Sequence, residues 1–304
     1  MSLGASDNER AAATATMFSA VRQRATTAGR LRRRAGMVLY YVVLIAAAAA
    51  FMIPIVWLVL GSLKLNAEFR AYPIVILPRT PIWDNYYDAL TVVPFFVYAG
   101  RSLLLASLYT ILVVISSAFA GFGFARHRAP GRNALFILVV AMVMVPQIVT
   151  IIPQFMLYSR LGLVGTYWPW VLWGIAGSPF HIFLFRQFFA GFPKELEDAA
   201  EIDGCSRLRV FGQIFLPNAG PVLAASAIFA FQWVWGDFFL QSIFLDQSHA
   251  TLAMKLASSY VDPHGNPLYT QTLAAVVIYV LPLIVVFFLA QKQIVRGVVT
   301  TGLK

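Results

Sequence analysis

Residues 194–217 read K-E-L-E-D-A-A-E-I-D-G-C-S-R-L-R-V-F-G-Q-I-F-L-P. Two strongly apolar runs flank this polar stretch, so its reading decides how the rest of the chain is placed. Pro193 suits the first turn of a helix, where a missing N–H costs nothing. Glu195, Glu197 and Asp198 follow in the first turns and complement the positive end of the helix dipole. Leu196, Ala199, Ala200 and Asp203 recur at three- and four-residue spacing and so fall near one face. Small side chains there permit close approach of another protein's surface. Gly204 supplies a left-handed stop. Ser206 can cap a second helix, which presents Leu208, Phe211 and Ile214 before Pro217 ends it. Two readings fit these residues: an ordinary interfacial helix–turn–helix, or a docking surface between membrane spans.

Composition sets the surroundings of that segment. Of 304 residues, 60% are hydrophobic and 12% are charged, with a mean hydropathy of +0.74. Soluble domains carry roughly 25% charged residues, so the chain reads as an all-α integral membrane protein. Cys205 is the one cysteine, which excludes an intramolecular disulfide framework and a cysteine metal cluster.

A spanning helix needs about 20 mostly apolar residues. Six candidates meet this, at about 37–60, 102–125, 134–153, 168–189, 219–244 and 272–291. The expected fold is therefore a six-span helical bundle over 37–304. The first run could be taken for a signal peptide, because 46–50 offers small residues for cleavage. It continues ten positions further, which favours an uncleaved anchor. Pro169 and Pro179 interrupt the fourth, a break a bundle tolerates where neighbours satisfy the freed carbonyls. Pro54, Pro146 and Pro179 are expected to kink their helices.

Lys and Arg set the orientation. With the N-terminus in the cytoplasm, 17 of the 23 basic residues fall inside, leaving Lys64, Arg70, Arg79, Arg101, Arg160 and Lys255 outside. Both termini and residues 193–217 are then cytoplasmic. The +10 net charge is mostly topology, and nucleic acid is not an expected partner. Residues 1–36, rich in Ala, Thr and Arg, are expected to form a disordered basic cytoplasmic tail. Its arginines attract anionic membrane lipid, at about 1 kcal/mol each near the surface. The outer loop 61–100 holds four prolines with Trp83 and Tyr86, too apolar for a free linker. It is expected to pack over the bundle mouth.

The spacing D-A-A-x(2)-D-G-x(9)-I-x-L-P, carried by Asp198, Ala199, Ala200, Asp203, Gly204, Ile214, Leu216 and Pro217, closely resembles the cytoplasmic coupling motif of ABC importer permeases. Asp198 stands where that family usually has glutamate. Further stretches resemble carbohydrate importer permeases of the maltose type: S-L-K at 62–64, F-A-R-H-R-A-P-G-R at 124–132, M-V-P-Q-I-V-T-I-I-P at 144–153, L-G-L-V-G-T-Y at 161–167, F-R-Q-F-F at 185–189 and R-G-V-V-T-T-G-L-K at 296–304. W-G-D-F at 235–238 matches their W-N-D-F with Gly236 in place of Asn. The resemblance covers nearly everything after residue 37.

It implies a permease domain over 37–304, with the coupling helix seated in a cleft of a cytoplasmic ATPase. Glu195 and Glu197 join the motif residues in that contact. It also implies a second permease, an ATPase dimer and an extracytoplasmic substrate-binding protein as partners. ATP and Mg belong to the ATPase, and this chain is expected to bind no cofactor. The nearest approach to a phosphate-binding loop, 297–304, has its lysine one position late and no preceding strand.

Gln232, Trp233, Trp235, Asp237 and Gln241 lie late in the fifth span. Intramembrane ionisable groups are functional candidates, and aromatic faces with hydrogen-bonding groups suit a sugar. An interfacial aromatic belt fits the same residues. His181 reads as hydrogen-bonded packing rather than a proton relay. No intramembrane carboxylate cluster or hydrolase motif supports a catalytic site, and no repeated polar stripe supports a channel. A polar solute such as a glycerophosphate is the alternative to a sugar.

Overall fold

The computed structural model describes residue 34, residues 36–258 and residues 260–301, with side chains described through 288 and at Gln291. The expected disordered tail, apart from Arg34 and Gly36, lies outside these residues. So do the side chains of Lys292 and Arg296 and the whole of Lys304. The chain forms two units, 1–58 and 59–304. The first contributes most of helix α1 (Gly36–Ser62), an apolar helix of 27 residues. It stays helical through Pro54.

The second unit is helical, with one isolated bridge, Val261 to Pro267, and no strand among the described residues. Short helices α2 (Asn66–Phe69) and α3 (Asp84–Thr91) lead into α4 (Phe95–Arg126). Then come α5 (Arg132–Met142), α6 (Gln147–Arg160), α7 (Trp168–Ala176) and α8 (Pro179–Ala190). Helices α9 (Glu195–Ile202) and α10 (Arg207–Asn218, with a π turn over Phe211–Phe215) precede α11 (Gly220–Trp235). The chain ends with α12 (Phe239–Phe244), α13 (Leu252–Ala257) and α14 (Tyr269–Thr301).

Helix α4 is the axis of this unit, packed by α7, α8 and α11. Small residues let the helices approach. A Cβ at Gly121 would sit 2.6 Å from the Phe185 Cβ, and one at Gly174 would sit 2.7 Å from the Leu112 Cβ. Close backbone approach of this kind drives helix association where the hydrophobic effect gives none. The opposite stripe of α4, at Leu104, Ile111, Ile115 and Phe119, is more than half exposed. Such a stripe is a liability in water and costs nothing against lipid tails.

Among the described residues, three helices are long and apolar enough to cross a membrane: α1, α4 and the described apolar part of α14. The run expected at 134–153, with a kink at Pro146, is two helices. Helices α5 and α6 meet at 98°, because Pro146 removes a backbone donor and forces the residue before it out of the helical region. Helix α11 begins where α10 ends, at 81° to it, and stops at Gly236, so the expected 219–244 run is also two helices. The run at 168–189 breaks at Gly177, whose φ is +75°. Its loosened backbone is held by α4. Ser116 Oγ donates to the Gly174 carbonyl at 2.7 Å, and the Ser178 N–H donates to Ser117 Oγ at 3.1 Å.

Loop 61–100 is built into the second unit. Asn85 Nδ2 donates to the Ser62 and Lys64 carbonyls at 2.8 Å each, and its Oδ1 accepts from Gln271 at 3.2 Å. The Tyr260 hydroxyl donates to the Ala89 carbonyl at 3.1 Å. Nearby, Gly165 N–H donates to the Phe244 carbonyl at 2.8 Å, which seats the 161–167 loop against Asp246. Hydrogen bonds from the Ser248 hydroxyl and from His249 hold the Asp246 carboxyl down at about 2.

Candidate functional site

Helix α9 carries three acidic residues in its first turn, where the dipole favours them. It ends as its sequence requires. Gly204 has a φ of +73°. Its N–H donates to the Glu201 carbonyl at 3.1 Å, and the Cys205 N–H donates to the Ala200 carbonyl at 2.9 Å. These paired bonds are the Schellman closure. Ser206 then caps α10 by accepting from the Arg209 N–H at 3.4 Å.

The face of α9 divides differently from the sequence expectation. Ala200 is buried, and Glu197 turns inward with it. Leu196, Asp198, Ala199, Ile202 and Asp203 remain exposed, Ile202 at 87%. The outward surface is thus a small apolar patch edged by carboxylates. On α10, Leu208 is exposed, Ile214 and Leu216 are half-buried and Pro217 is exposed. Phe215 is fully buried among Phe122, Phe189 and Phe192, with ring centroids 4.9–5.6 Å apart.

The inner face is tied down by Arg126, at the end of α4, a residue expected as a cytoplasmic charge and as part of the 124–132 stretch. Its side chain is 7% exposed. Nε donates to the Phe189 carbonyl at 3.1 Å and pairs with Glu197 Oε1 at 3.3 Å. That contact is a close ion pair, since Oε1 accepts no well-directed hydrogen bond. Nη2 donates to the Phe192 carbonyl, and the guanidinium lies 5.1 Å over the Phe215 ring. One planar fork thus joins α4, the end of α8, α9 and α10. Arginine suits such multiple contacts better than lysine.

The residues expected along a solute path do not assemble. Trp235 is buried, stacks on Phe231 and Tyr279, and donates from Nε1 to the Tyr279 carbonyl at 3.1 Å. Gln241 is buried, donates to the Val234 carbonyl at 2.6 Å and accepts from Thr251. Asp237 Oδ1 accepts from the Leu240 N–H at 3.0 Å, capping α12. Gln232 is exposed. These four serve the backbone or the surface, except that Asp237 Oδ2 is buried without a hydrogen-bond partner.

Trp233 alone of the five lines a cavity of about 660 Å³. That cavity opens where the α5–α6 break and the break at Gly177 meet. Helix α6 contributes Gln147, Thr150 and Gln154, α4 Tyr109, α7 Trp173 and α8 His181. Tyr109 and Trp233 lie 5.1 Å apart between ring centroids. His181 is 94% buried, because its exposure is 6%. Neither of its ring nitrogens has a hydrogen-bond partner of good geometry, only a weak approach to the Ser226 backbone. This differs from the hydrogen-bonded packing expected for it. The readable signal was the pair of breaks at Pro146 and Pro179, which were visible as kinks but not as a shared opening.

The model of the family of binding-protein-dependent transport system inner membrane components matches residues 113–300, and the chain belongs to that family. It is 32% identical over 257 residues to the arabinooligosaccharides transport system permease protein AraQ of Halalkalibacterium halodurans, covering 83% of this chain and 91% of that one. It is 35% identical over 209 residues to the osmoprotective compounds uptake permease protein GgtD of Synechocystis, covering 67% and 69%. Its fold matches a chain of a bacterial ABC transporter involved in the import of the acidic polysaccharide alginate, with a TM-score of 0.75. That match covers 86% of this chain and 97% of the other at 19% identity.

Proposed function

We propose that this permease is the smaller, six-span partner in a heterodimeric importer for a sugar or oligosaccharide. The two broken runs, 134–153 and 168–189, each count as one span in this reading. Both termini and the α9–α10 turn face the cytoplasm. There the exposed face of α9 (Asp198, Ala199, Ile202 and Asp203) seats on an ATPase dimer that supplies ATP and Mg chemistry. Solute arrives from a binding protein on the outer side. The observation that carries the coupling role is the Arg126 fork. A lever must be fixed to what it moves, and this side chain fixes α9 to the ends of α4 and α8.

Reconstitution in lipid tests the reading. The isolated chain hydrolyses no ATP. The complex does, and binding protein loaded with a neutral sugar raises the rate. Stimulation by a glycerophosphate and by no sugar would move the proposal to the other solute class. Reporter fusions at Lys304 and within 61–100 should report opposite sides of the membrane, and a cytoplasmic 61–100 would sink the six-span topology.

A further inference from the structure

We infer that the cavity between α4, α6, α7, α8 and α11 is the surface on which this subunit holds the translocated solute, and that its chemistry selects a neutral polyhydroxylated molecule. The inference rests on the carbohydrate reading above and goes beyond it by assigning the site and the charge class.

The geometry carries three parts of the argument. The volume of about 660 Å³ falls within the range of about 300–1,000 Å³ found for small-ligand sites. Its walls combine flat aromatic faces, Tyr109, Trp173 and Trp233, with the amides of Gln147 and Gln154. Aromatic faces match the C–H faces of a sugar ring, and amides match its hydroxyls as both donors and acceptors. His181 supplies the third part. It lines the cavity, is nine-tenths buried, and lacks a well-formed partner for either nitrogen. Buried polar groups are ordinarily hydrogen-bonded, and a ligand hydroxyl completes this one.

Charge decides the class. Among the described residues no Lys, Arg, Asp or Glu lines the cavity. An anionic solute would leave water there without a counter-charge, which is costly in a low-dielectric surround. A neutral solute has no such penalty.

Broken helices explain why the site lies here. Interruptions at 143–146 and at Gly177 open space beside α4, and serines on α4 satisfy the freed backbone of the second break. Irregular backbone at membrane depth is tolerated where it borders a cavity.

The test uses the full importer with its ATPase and binding protein in proteoliposomes. The probes are labelled maltotriose, arabinotriose and sn-glycerol 3-phosphate. His181→Leu and Gln154→Ala should each raise the half-saturating concentration for uptake of the transported trisaccharide about tenfold. His181→Gln should recover most of that loss, which a merely structural defect would not allow. Gln232→Ala should change it less than twofold. The single cysteine permits a second readout. In a Cys205→Ser background, a Gln154→Cys thiol should react with a methanethiosulfonate reagent, and the transported trisaccharide should slow the reaction. Trisaccharide uptake with unchanged kinetics in the cavity variants and no protection would overturn the site while leaving the carbohydrate reading intact. Uptake of sn-glycerol 3-phosphate alone would overturn both.

Discussion

Two stretches rich in polar and aromatic residues, 193–217 and 232–241, behave in opposite ways. In the first, most of the residues placed by spacing remain at a surface, Ala200 excepted. The helix stops at Gly204, the cap forms at Ser206, and Leu196, Asp198 and Ala199 face outward. In the second, composition suggested a binding set, yet Trp235, Asp237 and Gln241 are consumed by stacking, helix capping and a buried hydrogen bond. The difference lies in what each sequence pattern encodes. Helix start and stop signals act locally, so the chain that carries them also fulfils them. A binding role depends on which side chains converge from distant segments, and a run within one helix does not encode that.

The largest expected effect cuts across this contrast. Trp235→Ala removes a fully packed indole and leaves its volume among Phe231 and Tyr279. Large-to-small changes of this kind cost about 3–5 kcal/mol. The amount of folded protein recovered in detergent and its melting temperature should fall sharply. Trp233→Ala, at the partly exposed cavity wall, should leave both nearly unchanged while weakening uptake. If the two variants melt alike, the division between packing and cavity residues is wrong.

Arg126 sharpens the other half. Arg126→Met keeps the apolar stem and removes the fork, leaving Glu197 without its counter-charge and the Phe192 carbonyl without this donor, while the Phe189 carbonyl keeps the Phe192 N–H at 3.2 Å. Breaking a buried pair from one side costs about 3–5 kcal/mol; Glu197 is 15% exposed, so about 3 kcal/mol or less is expected here. The specific signature is functional. ATP hydrolysis by the complex should persist while solute moved per ATP falls, because α9 would no longer carry α4 and α8 with it. Loss of hydrolysis and uptake in equal proportion would remove the lever role and leave Arg126 a structural residue.

Much of the fold was legible. Length, apolar runs and basic asymmetry are properties of the chain alone, and α1, α4 and α14 follow from them. The bends were only half legible. Pro146 and Pro179 marked where helices would be interrupted, but the 98° between α5 and α6 depends on tertiary packing around the break. The turn between α9 and α10 was legible because glycine, serine and acidic residues act through backbone geometry within a few positions. Its inward face was not. Ala200 and Glu197 turn inward because Arg126, 71 positions before Glu197 in the chain, draws the carboxylate in. The cavity was the least legible, since Tyr109, Gln154, Trp173 and His181 come from four helices with no shared motif.

Gly204 gives the smallest effect and separates two causes. Its φ of +73° places it where a side chain is strained, and a Cβ built there meets nothing within 4 Å. Within the chain, the only cost of a substitution is therefore backbone conformation, about 1–2 kcal/mol for a β-branched residue. Gly204→Val should lower the melting temperature slightly, with insertion intact. Gly204→Asn should barely change it, because asparagine visits the left-handed region readily. A partner surface seated on this turn adds a second cost that depends on size rather than on φ. Both variants would then lose ATPase association and uptake, although only one is strained. If Asn transports like the parent while Val fails, strain alone explains the failure, and the ATPase does not sit against Gly204. If both transport normally with an intact complex, the docking contact must lie elsewhere on α9, and Ile202 becomes the residue to change next.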